Sequence, residues 1–391
     1  MVAPRPLDPV SPPAPCGPRL GIYIHCLFCR RRCPYCDFNV AIYRPDRLRV
    51  FLEALHAECD LYARQGWART VSVPSIFLGG GTPSLLEPGE VAWLLHAMRE
   101  RFHVLPNAEV TLEANPEGLT EGRLRGFRSA GVNRLSLGVQ SLDDELLKVI
   151  GREHSADQAR RVYRWARLAG FDNVSVDLLY ALPGQDLFRW EVTLDEVLDW
   201  RPEHLSAYAL TIEAGTPFAH RPPPDLPDEE AEVAQYHSLL IRAEAAGYEP
   251  YEISNFARPG FRSIHNQLYW HGEEYVGLGP GAHSNLGGVR FANFRSQVTY
   301  RKEVLRGHFP IEWQECLSAR ERLGERIVFG LRLQEGVPRE WLETRFAAQP
   351  ARLTTLLEHY QTLGLLVEER DRVYLTEQGR LLSNTVFAEL V

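Results

Sequence analysis

Three cysteines near the start of the 391-residue chain are spaced to hold a metal centre. Cys29, Cys33 and Cys36 form a Cys-x3-Cys-x2-Cys run. Soft thiolate ligands of this kind select iron–sulfur clusters or zinc. A [4Fe-4S] cluster normally takes four cysteines, so a cluster held by three leaves one iron open to a substrate or cofactor. The spacing therefore predicts a metal centre with one vacant coordination position.

Cys26, three residues before this run, keeps an alternative open. It would complete a four-cysteine zinc site, because structural zinc is closed by four ligands. Strand alternation instead points Cys26 in the same direction as Ile22 and Ile24, into packing. If it turned toward a cluster, it would occupy the open iron. A disulfide framework is not expected in so long a chain without a secretory signal.

The composition is that of an ordinary globular protein, with 45% hydrophobic and 24% charged residues. With 43 basic and 51 acidic residues the net charge is -8, so a nucleic-acid groove over the whole protein is not expected. No apolar run reaches the length of a membrane span. Residues 1–19 are rich in proline, lack a hydrophobic signal region and predict a disordered tail. Together these features predict a cytoplasmic protein.

Short β-rich runs alternate with helical patterns from residue 20 to about residue 215. Six such repeats imply parallel strands joined by right-handed crossovers, hence an α/β fold with an incomplete (βα)6 barrel. Residues 216–315 are predicted to form a connecting α/β extension. Helical patterns at 318–333, 337–346 and 350–363 then precede two short strands. They predict a winged-helix-like domain over residues 316–391, whose mixed charge favours packing or a partner over DNA binding.

Polar residues lie at the ends of several predicted strands, where α/β barrels collect their chemistry. A glycine turn after the second strand would let a ligand approach the backbone closely, although a plain tight turn explains it equally well. Glu113 would accept hydrogen bonds from a ribose or an ammonium group, or form a buried ion pair. Asp177 interrupts an apolar strand, where a carboxylate is costly unless paired or bound. The residues in question are Gly80, Gly81, Thr82, Glu113, Gln140, Arg152 and Asp177.

In order, these motifs resemble the HemN/HemW branch of the radical S-adenosylmethionine (SAM) superfamily. The matching segments are Tyr23-x-His25-x2-Phe28-Cys29-x3-Cys33-x-Tyr35-Cys36, Gly79-Gly-Gly-Thr-Pro-Ser84, Glu113-Ala-Asn-Pro-Glu117, Gly138-Val-Gln-Ser141, Gly151-Arg-x-His154 and Asp177-Leu-Leu-Tyr-Ala-Leu-Pro-Gly184. The resemblance implies an incomplete (βα)6 radical SAM barrel with a C-terminal winged-helix-like domain. It implies a [4Fe-4S] cluster on Cys29, Cys33 and Cys36, with SAM on the open iron. The implied SAM contacts are Tyr23, Tyr35, Gly80, Gly81, Thr82, Glu113, Gln140, Arg152 and Asp177.

Two segments indicate which member of the branch the chain resembles. Oxygen-independent coproporphyrinogen III dehydrogenases carry a fourth cysteine at the position of Phe38, whereas Cys36-Asp37-Phe38 resembles the HemW-type heme chaperones. The segment from His265 to Trp270 resembles their His-Asn-x-x-Tyr-Trp motif, which is associated with heme. Imidazole is a common axial ligand of heme iron, so His265 is a predicted heme ligand. Tyr269 and Trp270 would offer flat faces to the porphyrin. The alternative for His265 is a hydrogen-bonded histidine in a turn.

The resemblance therefore implies a heme chaperone that binds heme and transfers it to recipient apoproteins, reaching membranes only through those recipients. A second hypothesis is an enzyme like coproporphyrinogen III oxidase that cleaves SAM to a 5′-deoxyadenosyl radical. A third is a zinc-stabilised scaffold that uses Cys26. The chain departs from the family at Leu27, where a proline is usual. Because proline fixes φ, its loss loosens the cysteine loop.

Overall fold

The computed structural model describes residues 11–390, and twelve of the seventeen strands in this part of the chain form one continuous sheet. The strands are β1 Arg19–Cys26, β2 Phe28–Cys29, β3 Ala41–Ile42, β4 Ser72–Gly80, β5 His103–Ala114, β6 Arg134–Gln140, β7 Val174–Tyr180, β8 His204–Ala209, β9 Glu249–Pro250, β10 Asn255–Ala257, β11 Glu274–Leu278, β12 His283–Leu286, β13 Val289–Asn293, β14 Ile311–Cys316, β15 Val337–Pro338, β16 Leu366–Glu369 and β17 Arg372–Leu375. The helices are α1 Pro45–Ala63, α2 Pro88–Arg101, α3 Glu121–Ala130, α4 Asp144–Val149, α5 Ala156–Leu168, α6 Leu187–Asp199, α7 Pro217–His220, α8 Glu229–Ala245, α9 Ile264–Trp270, α10 Gln297–Leu305, α11 Ala319–Arg332, α12 Arg339–Arg345, α13 Pro350–Thr362, α14 Glu377–Leu381 and α15 Ser383–Leu390.

The centre of the sheet is made of six parallel strands, β1, β4, β5, β6, β7 and β8, in that order. Helices connect successive strands, as expected for parallel pairing. The strands are buried on both faces, which explains why the sequence shows near-continuous apolar runs such as Val174–Tyr180. The predicted α/β fold with six βα repeats is confirmed.

The extension continues this sheet at both edges. Strand β11 pairs in parallel with β1, and β12, β13 and β14 follow in antiparallel order. At the other edge β10 and β9 add to β8 in antiparallel order. Residues 216–315 therefore contribute to the barrel wall, in addition to connecting it to the C-terminal region.

Helix α9 closes the barrel at the N-terminal ends of its strands. His265 on α9 bonds to Ser75, near the start of β4, and its backbone bonds to Glu109 on β5. Ser75 precedes Gly80 by five residues, so α9 lies on the order of 16 Å below the C-terminal end of β4, at about 3.3 Å per residue. We call α9 with Ser75 and Glu109 the floor. The mouth is the opposite end, formed by the C-terminal strand ends and the cysteine loop, residues 27–40.

The C-terminal region has its own three-stranded sheet, in the order β15-β17-β16, covered by α11–α15. A separate apolar core includes Ile327, Leu342, Leu357, Val373 and Val386. This arrangement agrees with the predicted winged-helix-like domain. Helix α11 packs against α9, so the C-terminal region lies beneath the barrel floor.

Only residues 11–19 of the predicted disordered tail lie in the described part of the chain. Residues 1–10 of that prediction lie outside the described part of the chain, and β1 already begins at Arg19. Residues 11–18 have no regular structure but are anchored, because the backbone N–H groups of Cys16 and Gly17 donate to Glu274 at 3.0 and 2.7 Å. Within residues 11–390, no helix is long and apolar enough to cross a membrane.

Candidate functional site

One cavity of about 540 Å³ extends from the mouth to the floor of the barrel. It brings together all the predicted cluster, SAM and heme residues except Trp270. These are Tyr23, Cys29, Cys33, Tyr35, Cys36, Gly80, Gly81, Thr82, Glu113, Gln140, Arg152, Asp177, His265 and Tyr269.

The three cysteines lie on a loop that backbone hydrogen bonds hold against the barrel. The N–H of Tyr43 donates to the Cys29 carbonyl at 2.9 Å, and the N–H of Cys36 donates to the Cys33 carbonyl at 3.2 Å. All three side chains are half-buried and face the cavity. Burial raises the pKa of Cys29 to about 11 and also raises the pKa of Cys36. A metal centre would therefore bind here with release of thiol protons.

The donor set fits a cluster better than a single ion. Within residues 11–390, no three His, Cys, Asp or Glu side chains converge closely enough to hold one metal ion. The cysteines of an iron–sulfur cluster bind different irons, so they do not need to converge on one point. Three thiols around one cavity meet that requirement.

Cys26 is separate from the other thiols. It is 3% exposed, packs in the barrel core with Ile22 and Ile24, and does not line the cavity. Its predicted orientation into packing is confirmed. Burial raises the pKa of Cys26, which opposes the thiolate form that zinc requires. The geometry therefore does not favour a four-cysteine zinc site.

The glycine turn after β4 seats the cysteine loop. The N–H of Gly81 donates to the Cys26 carbonyl at 2.9 Å, and the N–H of Thr82 donates to the Phe28 carbonyl at 2.7 Å. A Cβ at Gly81 would lie 2.6 Å from the Phe28 oxygen, so only glycine fits. Gly80 has a φ of +102°, a conformation that L side chains rarely adopt. Loop packing thus explains these glycines without a ligand.

Two carboxyl groups with raised pKa values face the cavity. Glu113 accepts a hydrogen bond from the Gly80 N–H at 3.0 Å, and burial together with the negative charge of Asp177 raises the pKa of Glu113 to about 8. Asp177 accepts hydrogen bonds from Ser136 at 3.1 and 3.0 Å and from Ser175 at 3.3 Å. Burial raises the pKa of Asp177 as well. Carboxyl groups perturbed in this way in a cleft are typical of functional sites.

Arg152 belongs to the cavity wall and not to the surface. Its guanidinium donates to Asn115 Oδ1 at 2.7 Å and to the Gly138 carbonyl at 3.0 Å. Asn115 in turn donates to Thr82 Oγ1 at 3.1 Å, and Thr82 donates to Cys29 Sγ at 3.5 Å. A chain of hydrogen bonds therefore runs from the arginine to a predicted cluster ligand.

Several cavity residues were not predicted from the sequence. Ser136 and Ser206 are inward-facing positions of β6 and β8, which strand alternation around Asp177 would have identified. Arg134 is a buried cation at the start of an apolar run, the same kind of signal that identified Asp177. Further lining residues include Arg30, Arg31, Arg32, Phe38, Phe77, Asn115, Glu117, Arg134, Ser136, Glu153, Ser206, Tyr208 and Asn266.

His265 is buried at the floor with both ring nitrogens engaged. Nδ1 shares a hydrogen bond with the Ser75 hydroxyl and Nε2 with the Tyr269 hydroxyl, each at 2.9 Å. The backbone N–H of His265 donates to Glu109 at 3.1 Å. Burial lowers the pKa of His265 to about 3, and the charge of Arg134 acts in the same direction. The imidazole is therefore neutral, which is the form that binds metals.

Trp270 points out of the cavity toward the C-terminal region. The guanidinium carbon of Arg332 lies 4.6 Å from its ring centroid, and the Phe329 ring lies at 6.1 Å. Both partners are on α11. Helix α9 thus contacts the cavity through His265 and Tyr269 and the C-terminal region through Trp270.

Comparison with known proteins gives a family match for the barrel and another for the C-terminal region. Residues 23–197 match the Radical SAM superfamily, and residues 317–382 match the HemN C-terminal domain. A Bacillus subtilis (strain 168) protein described as heme chaperone HemW is 36% identical, over 93% of this chain and 97% of its own length. A mouse protein described as radical S-adenosyl methionine domain-containing protein 1, mitochondrial, is 40% identical over 84% of this chain and 76% of its own length.

The fold has a solved counterpart. Coproporphyrinogen III oxidase (HemN) from Escherichia coli superposes with a TM-score of 0.83, covers 96% of this chain and 91% of its own, and is 24% identical. At that identity the similarity shows a shared fold. The identity to the HemW relatives is higher and extends over nearly the whole length. The chain therefore belongs to the HemW family of the radical SAM superfamily.

Proposed function

We propose that this protein is a heme chaperone that binds heme and transfers it to recipient apoproteins in the cytoplasm. The observation that carries the proposal is the 36% identity, over 93% and 94% of this chain, to the Bacillus subtilis and Escherichia coli proteins described as heme chaperones. Phe38, at the position of the fourth cysteine of the coproporphyrinogen dehydrogenases, supports the same choice. We expect no nucleic-acid partner, and membrane association only through the recipients.

The cofactor set of this proposal is a [4Fe-4S] cluster on Cys29, Cys33 and Cys36, with SAM beside it. When bound, these groups supply one-electron chemistry at the mouth. The chain's own contribution is the loop geometry: hydrogen bonds to the glycine turn hold the loop, so the three thiols face one cavity.

The predicted SAM contacts divide by the chemistry they offer. Glu113 and Asp177 offer carboxyl oxygens for hydroxyl or ammonium groups, and their raised pKa values favour the protonated form, which can also donate a hydrogen bond. Arg152 offers a fixed cation for a carboxylate. Tyr23 and Tyr35 offer ring faces or backbone groups, and Gly80, Gly81 and Thr82 offer the turn itself. Gln140 has a φ of 64°, an uncommon conformation for glutamine that turns the chain at the end of β6.

Heme ligation by His265 is part of the proposal, and it requires a change in the hydrogen bonds at the floor. The imidazole is neutral, but a bond to iron requires one of its hydrogen-bond partners to leave. Tyr269 is the simpler one to displace, because Ser75 is fixed in β4. Tyr269→Phe should therefore strengthen histidine ligation, whereas His265→Ala should abolish the spectral signature of a histidine-bound heme. An unchanged Soret band position in His265→Ala would contradict this ligation.

Transfer is the property that tests the function itself. Protein reconstituted anaerobically with iron and sulfide is loaded with heme and mixed with a heme-free acceptor apoprotein. We expect a change in the Soret band when heme is loaded. We also expect heme to pass to the acceptor faster from this protein than from albumin. Absence of heme binding, or binding without transfer, would overturn the proposal.

The second candidate function is SAM-dependent oxidation of a porphyrinogen, which the fold of HemN makes worth testing. The test is direct: incubation of the reconstituted protein with SAM, a reductant and coproporphyrinogen III. We expect no decarboxylated product. Detection of one would replace the chaperone proposal with an enzyme.

A further inference from the structure

Three consecutive arginines lie at the mouth, between the first two cysteines of the loop. Arg30, Arg31 and Arg32 are exposed and line the same cavity as the thiols. They stand on a chain whose net charge is -8, so a local group of three cations runs against the overall charge. Such a concentration of one sign at a cavity entrance attracts ligands of the opposite sign.

These cations have free bonding capacity. In the described part of the chain, none of the three forms an ion pair with an acidic side chain, and Arg32 uses only Nε, which donates to the Cys36 carbonyl at 3.2 Å. The nearby acidic group Glu117 already lies 3.7 Å from Arg152. Glu153 is the exposed acidic residue among those lining the cavity. Three exposed cations against one exposed carboxylate leave an excess of positive charge among the exposed residues that line the cavity.

Exposed aromatic side chains line the same cavity as the arginines. Phe38 is 57% exposed and lines the cavity at the end of the same loop, and Tyr208 is 43% exposed at the end of β8. Aromatic side chains that line an open cavity offer flat apolar faces to a ligand. An aromatic face next to guanidinium groups suits a ligand that is flat, apolar in its centre and anionic at its edge.

We propose that Arg30, Arg31 and Arg32 together with Phe38 form a capture rim for heme, in which the arginines bind the propionate carboxylates and Phe38 contacts the macrocycle. This inference rests on the proposed function and specifies where heme first binds. Guanidinium groups bind carboxylates through paired hydrogen bonds, and an exposed rim allows both entry and release. The floor histidine lies on the order of 16 Å below the strand ends, at about 3.3 Å per residue, so capture and histidine ligation are separate events.

The test is heme binding by an Arg30→Gln, Arg31→Gln, Arg32→Gln variant. We expect heme affinity and association rate to fall about tenfold or more, the scale of one lost charge-assisted interaction. The salt dependence of association should also be lost. The matched control changes Arg64, Arg161 and Arg164 to Gln, which removes the same charge from exposed positions outside the cavity and should leave binding unchanged.

Further variants separate charge from loop folding. Arg32 supports the loop through Cys36, so an Arg30→Gln, Arg31→Gln variant keeps that bond and should still weaken binding. Replacement of all three arginines by lysine should give a heme affinity between those of the triple glutamine variant and wild type. Phe38→Ser keeps all three arginines and should still weaken heme binding. Heme with esterified propionates should bind wild type and the triple variant equally.

The outcomes distinguish the two proposals. If wild type binds heme and the triple variant binds it equally well with equal iron and sulfide content, the rim is wrong and the chaperone function stands. If the control triple loses as much affinity as the rim triple, net charge alone acts and the rim is also wrong. If wild type binds no heme, both proposals fail.

Discussion

The mouth and the floor of the barrel use polar residues in opposite ways. At the floor, Glu109 accepts from the backbone of Ile264 at 3.0 Å and of His265 at 3.1 Å, and both ring nitrogens of His265 have partners. At the mouth, half-buried thiols and exposed arginines face the cavity with bonding capacity to spare. The comparison teaches that polar residues at the two ends of one cavity differ in role. Those whose hydrogen-bonding groups are already paired hold the structure together, and those with unpaired groups are ready for a ligand.

The largest effect is expected when a thiol at the mouth is removed, in comparison with removal of a thiol in the core. Cys33→Ser should lose the iron–sulfur cluster, seen as loss of bound iron and of the absorbance near 400 nm after anaerobic reconstitution. Cys26→Ser changes a thiol in the core, outside the cavity, and should keep the cluster. A Cys26→Ser protein without cluster would show that Cys26 is a ligand, and the separation described above would fail.

Removal of the floor carboxylate should cost stability. Glu109→Ala leaves the N–H groups of Ile264 and His265 without their partner at the buried start of α9. We expect a loss of about 2–4 kcal/mol in the free energy of unfolding, measured with urea. Glu244→Ala, at an exposed position of α8, is the control and should change stability by less than about 0.5 kcal/mol. Equal effects in both variants would mean that the floor is not held through Glu109.

The raised pKa of Glu113 should appear as a pH dependence of stability. In the folded protein the pKa of Glu113 is about 8, above its unfolded value near 4.5, so folding favours the protonated form. Stability from this group is therefore greatest below about pH 4.5 and falls as the pH rises through 8.

Glu113→Gln should remove that fall. Its Tm at pH 8.5 should exceed that of wild type by about 1 °C for each kcal/mol relieved, because the unfolding entropy of a 391-residue chain is large. Glu58, whose pKa burial raises to about 7, acts in the same direction, so both proteins are best compared in a Glu58→Gln background. If the Tm of the protein that carries only Glu58→Gln rises between pH 6 and 8.5, the raised pKa assigned to Glu113 is wrong.

The smallest effect is expected where the floor meets the C-terminal region. Trp270→Leu removes the ring under Arg332 together with part of the apolar volume, and the control below removes the same volume elsewhere. The loss in the free energy of unfolding should exceed that of the control by about 1 kcal/mol, the usual size of a cation–π contact. The control is Trp93→Leu, because Trp93 is 42% exposed on the barrel's outer surface. Faster amide exchange in α9 of the first variant alone would locate the effect at this contact.

Much of the barrel could be predicted because its signals are local. Apolar runs ending in polar residues located the six parallel strands. The strands of the extension gave little signal, because several are only two to five residues long and pair with distant parts of the chain. Strand β11, for example, pairs with β1, more than 240 residues earlier.

The candidate site also contains residues that local sequence signals identified and residues whose surroundings depend on distant parts of the chain. Glu113 and Asp177 were predicted because a carboxylate in or after an apolar strand is conspicuous, and both face the cavity. The depth of His265 could not be predicted, because it depends on a contact with Ser75, 190 residues away. Its motif identified the chemistry of the residue but not its surroundings. The heme role of His265 stays a prediction.

The pairing of β1 with β11 has a consequence for the order of events during protein synthesis. The metal-binding motif emerges early from the ribosome, but one edge of its first strand gains its partner only when residues 274–278 have been made. At roughly 5–20 residues per second, that delay is about 13–50 s. During this time the thiols are translated but their scaffold is incomplete. Delivery of iron and sulfide to this loop is therefore expected to follow, and not accompany, synthesis of the barrel.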